Sequence, residues 1–207
     1  ASSLPETIGE RIDVGGTLFL LTGGSTYPML WKSDGAGMTL VATLPGPASG
    51  LASLNGSVYF AVEYAAGQRG LWKSDGTAAG TLMIKDFRNL GRILNLTAVA
   101  DTLFFTVETV DGTEYDYSLW ISDGTEEGTQ TIASASAGNL PMGSASVAPS
   151  LFTAVGEMLF FEFDNDLYMS DGTLSGTQKI LDADDVAALR NVHGVLFFEA
   201  TISGVTT

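Results

Sequence analysis

Leu71-Trp72-Lys73-Ser74-Asp75-Gly76-Thr77-Ala78-Ala79-Gly80-Thr81 returns almost unchanged as Leu119-Trp120-Ile121-Ser122-Asp123-Gly124-Thr125-Glu126-Glu127-Gly128-Thr129. An earlier copy, Leu30-Trp31-Lys32-Ser33-Asp34-Gly35, and a later one, Leu167-Tyr168-Met169-Ser170-Asp171-Gly172, complete a set of four. The aspartates Asp34, Asp75, Asp123 and Asp171 are 41, 48 and 48 residues apart. Spacings of about 40–50 residues match one four-stranded propeller blade.

Upstream of each copy lies a small turn followed by an apolar run: Gly16 to Leu20, Gly56 to Phe60, Asp101 to Phe105 and Gly156 to Phe161. A fifth run, Gly194-Val195-Leu196-Phe197-Phe198, has no Ser-Asp-Gly after it. For the third unit the pattern predicts strands at 96–100, 102–108, 118–122 and 129–133. Phe104 and Phe105 are adjacent, so they point to opposite faces of their strand. Both faces then need cover, which a sheet wedged between neighbouring sheets supplies and a sheet with one wet face does not. The expected fold is therefore all-β: a propeller, or a propeller segment, of four-stranded antiparallel blades. The expected blades are 10–45, 50–87, 94–134 and 150–183, with a partial fifth at 189–207, all within one repeat domain. A β-sandwich-like open array is the alternative. Only Asp182 to Asn191 carries anything like a helical pattern.

Asp-Gly is a hairpin signal, because Gly accepts positive φ and the Asp side chain bonds a backbone N–H two residues on. Gly80, five residues past Asp75, is expected to supply a second special conformation before Thr81, and Gly128 and Gly176 recur at the same offset. Trp31, Trp72, Trp120 and Tyr168 occupy one repeated position. They read either as a ligand platform or as large rings filling the wedge between blades, and recurrence in every unit favours packing. Asp34, Asp75, Asp123 and Asp171 read as turn residues ahead of a ring of Ca²⁺ ligands.

The repeated stretch resembles the bacterial tandem-repeat family E-L-W-x-x-D-G-T-x-x-G-T, most closely at Leu71 to Thr81 and Leu119 to Thr129. The likeness runs from about Leu30 to Leu181, with Met29, Gly70, Ser118 and Asp166 where the family has its leading Glu. It implies a propeller-like fold in an exported or surface-attached bacterial protein, and it brings no catalytic residues with it.

Nine Lys and Arg stand against 24 Asp and Glu in 207 residues, a net charge of −15. Phosphate backbones and anionic membranes need clustered cations, so nucleic acid is an improbable partner. There is no cysteine, hence no disulfide, thiolate metal site or Cys nucleophile. No apolar run is long enough for a membrane-spanning helix. The opening at Ala1 is compatible with a processed secreted form or an excised piece.

Candidate chemistry is sparse. His193, the single histidine, is expected in an exposed turn. Glu162, Asp164 and Asp166 alternate, so on one strand they would share a face as candidate Ca²⁺ ligands or as an acid/base pair. Asp111, Glu114 and Asp116 are expected in a loop, and Asp182, Asp184 and Asp185 form a further acidic group. No catalytic set is assembled from these. The sequence reads as a non-enzymatic secreted or cell-surface scaffold that binds a protein or glycan. The alternatives are a carboxylate-dependent hydrolase or lyase and a Ca²⁺-stabilised module, calcium being the one cofactor in question. The half-finished fifth unit points to completion by another polypeptide or by the rest of a longer chain.

Overall fold

The computed structural model describes residues 8–22, 28–64, 67–111, 114–134 and 148–203. Among them, each apolar run pairs in sequence order with its neighbours, giving four-stranded antiparallel sheets. Blade 1 contains β1 (Ile8–Val14), β2 (Thr17–Thr22), β3 (Met29–Ser33) and β4 (Met38–Thr43). Blade 2 contains β5 (Ala48–Leu54), β6 (Ser57–Glu63), β7 (Arg69–Ser74) and β8 (Leu82–Asp86). Blade 3 contains β9 (Arg92–Val99), β10 (Thr102–Asp111), β11 (Glu114–Ser122) and β12 (Gln130–Ser134). Blade 4 contains β13 (Ser150–Val155), β14 (Met158–Phe163), β15 (Asp166–Ser170) and β16 (Gln178–Leu181), and a two-stranded fifth sheet follows with β17 (Asp185–Val192) and β18 (Val195–Thr201).

The first strands line up side by side, β1 against β5, β5 against β9, β9 against β13 and β13 against β17. The sheets thus stand around an open arc, as propeller blades do. The core is not one body but a series of wedges between blades. In β10, Leu103, Phe105 and Val107 join the core shared with blade 2, while Phe104 between them joins the core shared with blade 4. This is the two-sided burial that adjacent apolar residues require.

Two expectations need correction. Asp182 to Asn191 is not helical; most of it is strand β17. Val186 and Leu189 are both buried in the wedge against blade 4, and their i, i+3 spacing imitates a helix. The cause is a β-bulge: pairing slips between Ala187 and Arg190, with Ala188 at φ 55°, so one extra residue brings Leu189 back to the face of Val186. The same slip recurs in β1, β5, β9 and β13, and it explains why β9 starts at Arg92 and not at Leu96. Asp116 is likewise not in a loop, because β10 and β11 continue as a long hairpin that pairs it with Thr109.

Candidate functional site

The Ser-Asp-Gly-Thr turns form one rim of the arc. In blade 2, Gly76 takes φ 86°, and the backbone N–H of Thr77 donates to Asp75 Oδ1 at 2.8 Å. Proton counting fixes the hydroxyls. Thr81 Oγ1 donates to the Thr77 carbonyl at 2.7 Å, so it must accept from Ser74 Oγ, also at 2.7 Å. Ser74 Oγ accepts in turn from the Gly76 N–H at 3.1 Å. Thr77 Oγ1 donates to Asp75 Oδ1 at 2.7 Å and accepts the Gly80 N–H at 2.9 Å.

The same bonds recur around Asp123 and Asp171. Donation from the threonine hydroxyl, then from the same threonine's N–H, holds the Asp75, Asp123 and Asp171 carboxyls below the usual carboxylate range. These aspartates are turn residues, as expected. The role expected of Gly80 is different, because its φ is not positive. A Cβ there would overlap the Asp75 carboxylate, and the same holds for Gly128 with Asp123 and Gly176 with Asp171. The first copy lacks the two threonines and keeps only Gly35 N–H to Ser33 Oγ at 3.3 Å and Ala36 N–H to Asp34 Oδ1 at 3.0 Å.

Three of the four repeated aromatics pack between blades. Trp120 meets Phe87 of blade 2 edge-on at 5.1 Å and stacks on Phe105 at 6.2 Å, while Tyr168 stacks on Phe161 at 5.5 Å within the wedge against blade 3. Trp72 packs into the wedge against blade 1 and donates its indole N–H to Tyr64 Oη at 2.6 Å. Trp31 is buried at the blade 1 end of the arc.

The carboxylates expected to share a strand do not. Glu162 lies in β14 and Asp166 opens β15, with Asp164 and Asn165 between them as a tight turn at φ 53° and 70°. Asp-Asn supplies the positive φ values that a two-residue hairpin turn demands. Glu162 is buried and accepts from Ser150 Oγ at 2.7 Å and from the Asn165 N–H at 2.9 Å. Asp166 accepts from Lys179 Nζ at 2.9 Å and from the Ala183 N–H at 2.9 Å. The three are therefore not set as one ligand face. His193 sits in an exposed turn at φ 51°.

What distinguishes the two rims is length. On the motif rim, every first-to-second-strand turn has two residues (15–16, 55–56, 100–101, 156–157 and 193–194), and the three full motif turns, 75–81, 123–129 and 171–177, have seven each. On the opposite rim the intervals between successive strands are 23–28, 44–47, 64–68, 87–91, 112–113, 135–149, 164–165 and 182–184. They run from two residues to fifteen.

This second rim carries a groove of about 370 Å³ between blades 2 and 3, lined by Arg69, Arg88, Leu90, Arg92, Glu108 and Val110 among others. Three of the chain's five arginines meet there. Arg92 Nε lies 3.0 Å and Arg69 Nε 3.7 Å from Glu63 Oε1, and Arg88 Nε donates to Asp86 Oδ2 at 2.6 Å. Leu90 is 38% and Val110 60% exposed beside these ions, so charge and apolar surface are presented together. No isolated sequence motif marks the groove, because Arg69 lies in β7 of blade 2 while Arg88 and Arg92 stand four residues apart where the chain enters blade 3.

No family model matches the chain, and no curated protein matches it in sequence. Its fold is nevertheless shared. The β-propeller domain of the Trilobed protease from Pyrococcus furiosus superposes with TM-score 0.60 at 13% identity, over 95% of this chain and 66% of that one. The acylaminoacyl peptidase of Pyrococcus horikoshii gives 0.55 at 13% identity, over 93% and 35%, and TolB from Acinetobacter baumannii gives 0.53 at 10%, over 93% and 52%. The chain has a β-propeller fold, and it spans between about a third and two thirds of the length of these structures.

Proposed function

We propose that this chain is a non-enzymatic propeller scaffold, secreted or held at a bacterial cell surface, that binds a protein or glycan through the rim of unequal connections. The observation that carries this reading is the difference between the rims. Eight of the nine turns on one rim hold to two lengths, the first motif turn at 34–37 being the exception, and the three full motif turns spend their polar groups on one another, whereas connections on the other rim run from two residues to fifteen and that rim displays the arginine-lined groove. Rigid blades with variable loops are the usual division between scaffold and recognition surface. The strong net negative charge and the likeness of the motif to exported bacterial repeats support the setting.

A glycan array and a displayed random-peptide library, each probed with the whole chain, test this reading. The comparison uses two variants, Arg88→Ala with Leu90→Asp in the groove and Glu126→Lys with Glu127→Lys on the motif rim. The expected result is a set of ligands lost by the first variant and kept by the second. The absence of any ligand, or loss through the motif-rim changes alone, would contradict it.

A further inference from the structure

Asp-Gly is a chemically labile pair as well as a turn signal. Glycine has no Cβ to shield its backbone nitrogen, and attack of that nitrogen on the preceding Cγ closes a five-membered imide. The chain carries the pair at the same point of four turns, 34–35, 75–76, 123–124 and 171–172. The four turns differ in what holds the two reacting groups.

In the three full turns both groups are held. The carboxylate Oδ1 accepts from the N–H and from the hydroxyl of the threonine two residues on, at 2.8 and 2.7 Å in each copy. The backbone of Gly80, Gly128 or Gly176 lies so close to that carboxylate that a Cβ would overlap it. The nitrogens of Gly76, Gly124 and Gly172 donate to Ser74, Ser122 and Ser170 Oγ at 3.1, 3.0 and 3.1 Å. A second threonine fixes each serine hydroxyl at 2.7 Å. Closing the imide there means breaking hydrogen bonds to an ionised group, which are the strong ones.

Blade 1 has neither threonine of the full turn. Ala36 stands where Thr77 stands, and β4 begins at Met38, before any counterpart of Gly80 or Thr81. Asp34 Oδ1 accepts the Ala36 N–H at 3.0 Å, and the Gly35 N–H reaches Ser33 Oγ at 3.3 Å, both longer than in the full turns. These differences are written in the turn's own residues, so they hold whatever packs against blade 1.

We propose that Asp34-Gly35 is the site of a spontaneous backbone modification, conversion of Asp34 to isoaspartate, and that the first threonine of the motif shields the other three copies. The Gly35 nitrogen attacks Asp34 Cγ. An N–Cγ bond forms as a carboxyl oxygen departs in water, which also carries off the amide proton. The imide then takes back one water. Opening at Cγ returns Asp34, whereas opening at the main-chain carbonyl leaves a free α-carboxylate and a chain that runs through Cβ and Cγ. No oxidant, reductant or catalyst enters, and the net composition is unchanged. The reacting form is the neutral acid, which the bonds around Asp75, Asp123 and Asp171 disfavour by holding those carboxyls below the usual range. The product lengthens the β3–β4 turn by one backbone atom, beside the Ser33–Met38 pair that closes it. This lability is independent of what either rim binds.

The whole chain, incubated at neutral pH and physiological temperature, is digested and mapped by chromatography with electron-transfer fragmentation, which separates isoaspartyl from aspartyl peptides. Isoaspartate is expected at position 34 about tenfold or more faster than at 75, 123 or 171, the effect of one hydrogen bond to an ionised group. Two reciprocal variants test the cause. Ala36→Thr restores the hydroxyl and should slow conversion of Asp34 by about tenfold, while Thr125→Ala should speed conversion of Asp123 by a similar factor. In the second variant Asp75 and Asp171 should keep their rates; if they rise together the chain has loosened, and Ala36→Thr alone decides. Equal rates at the four sites in the unaltered chain would overturn the proposal. So would an Asp34 rate that Ala36→Thr leaves unchanged.

Discussion

At the scale of single residues, the repeat is a hydrogen-bonding device. Ser74, Thr77 and Thr81 each use their hydroxyl both to donate and to accept, so the buried Ser74 leaves no lone group in the turn. The Asp-Gly half of this could be read in the sequence because it depends on neighbours two residues apart. The part played by the second glycine could not, since it rests on the aspartate folding back across the loop to lie against it. Gly128→Ala should therefore destabilise the chain by about 1–3 kcal/mol, the range for forcing an extra carbon into a packed site. Urea denaturation would measure this, with Glu126→Ala on the exposed part of the same turn as a near-neutral control.

At the scale of elements, the bulge in each first strand is what sequence periodicity concealed. An extra residue converts period two into an i, i+3 apolar pair, as with Ile93 and Leu96 in β9 and Val186 and Leu189 in β17. A helix reading of Asp182 to Asn191 followed from that spacing alone. The bulge residue sits at positive φ in four strands, as Gly50, Asn95, Leu151 and Ala188, and it also ties blades together: Asn95 Nδ2 donates to the Pro149 carbonyl at 2.6 Å. In β1, which bends at the same place, Glu10 accepts the N–H groups of Gly50 and Leu51 at 2.8 and 2.9 Å. Leu151 is the costly choice at φ 58°, because the left-handed region crowds its Cβ. Leu151→Asn should stabilise the chain by roughly 1 kcal/mol, since asparagine tolerates that region. A rise in urea midpoint with an unchanged slope would register it, and a fall would mean that Leu151 packing outweighs the strain.

At the scale of the molecule, the arc of blades was legible from the 41- and 48-residue spacings and from apolar residues on both faces of one strand. The surface proposed to bind was not. Arg69 is distant in sequence from Arg88 and Arg92, and the contrast between rims appears only when strand boundaries fix the length of every connection. The carboxylates Glu162, Asp164 and Asp166 misled for a related reason: alternation promises a shared face only while the strand continues, and here it turns at Asp164-Asn165.

The architecture rests on Trp72, Trp120 and Tyr168 each packing against the preceding blade, and Phe87 with Trp120 is the aromatic pair that spans blades 2 and 3 most closely, at 5.1 Å. A double-mutant cycle of Phe87→Leu and Trp120→Leu measures that contact directly in denaturation experiments. The propeller packing predicts a coupling of about 0.5–1.5 kcal/mol. Additive losses, with a coupling indistinguishable from zero, would contradict it.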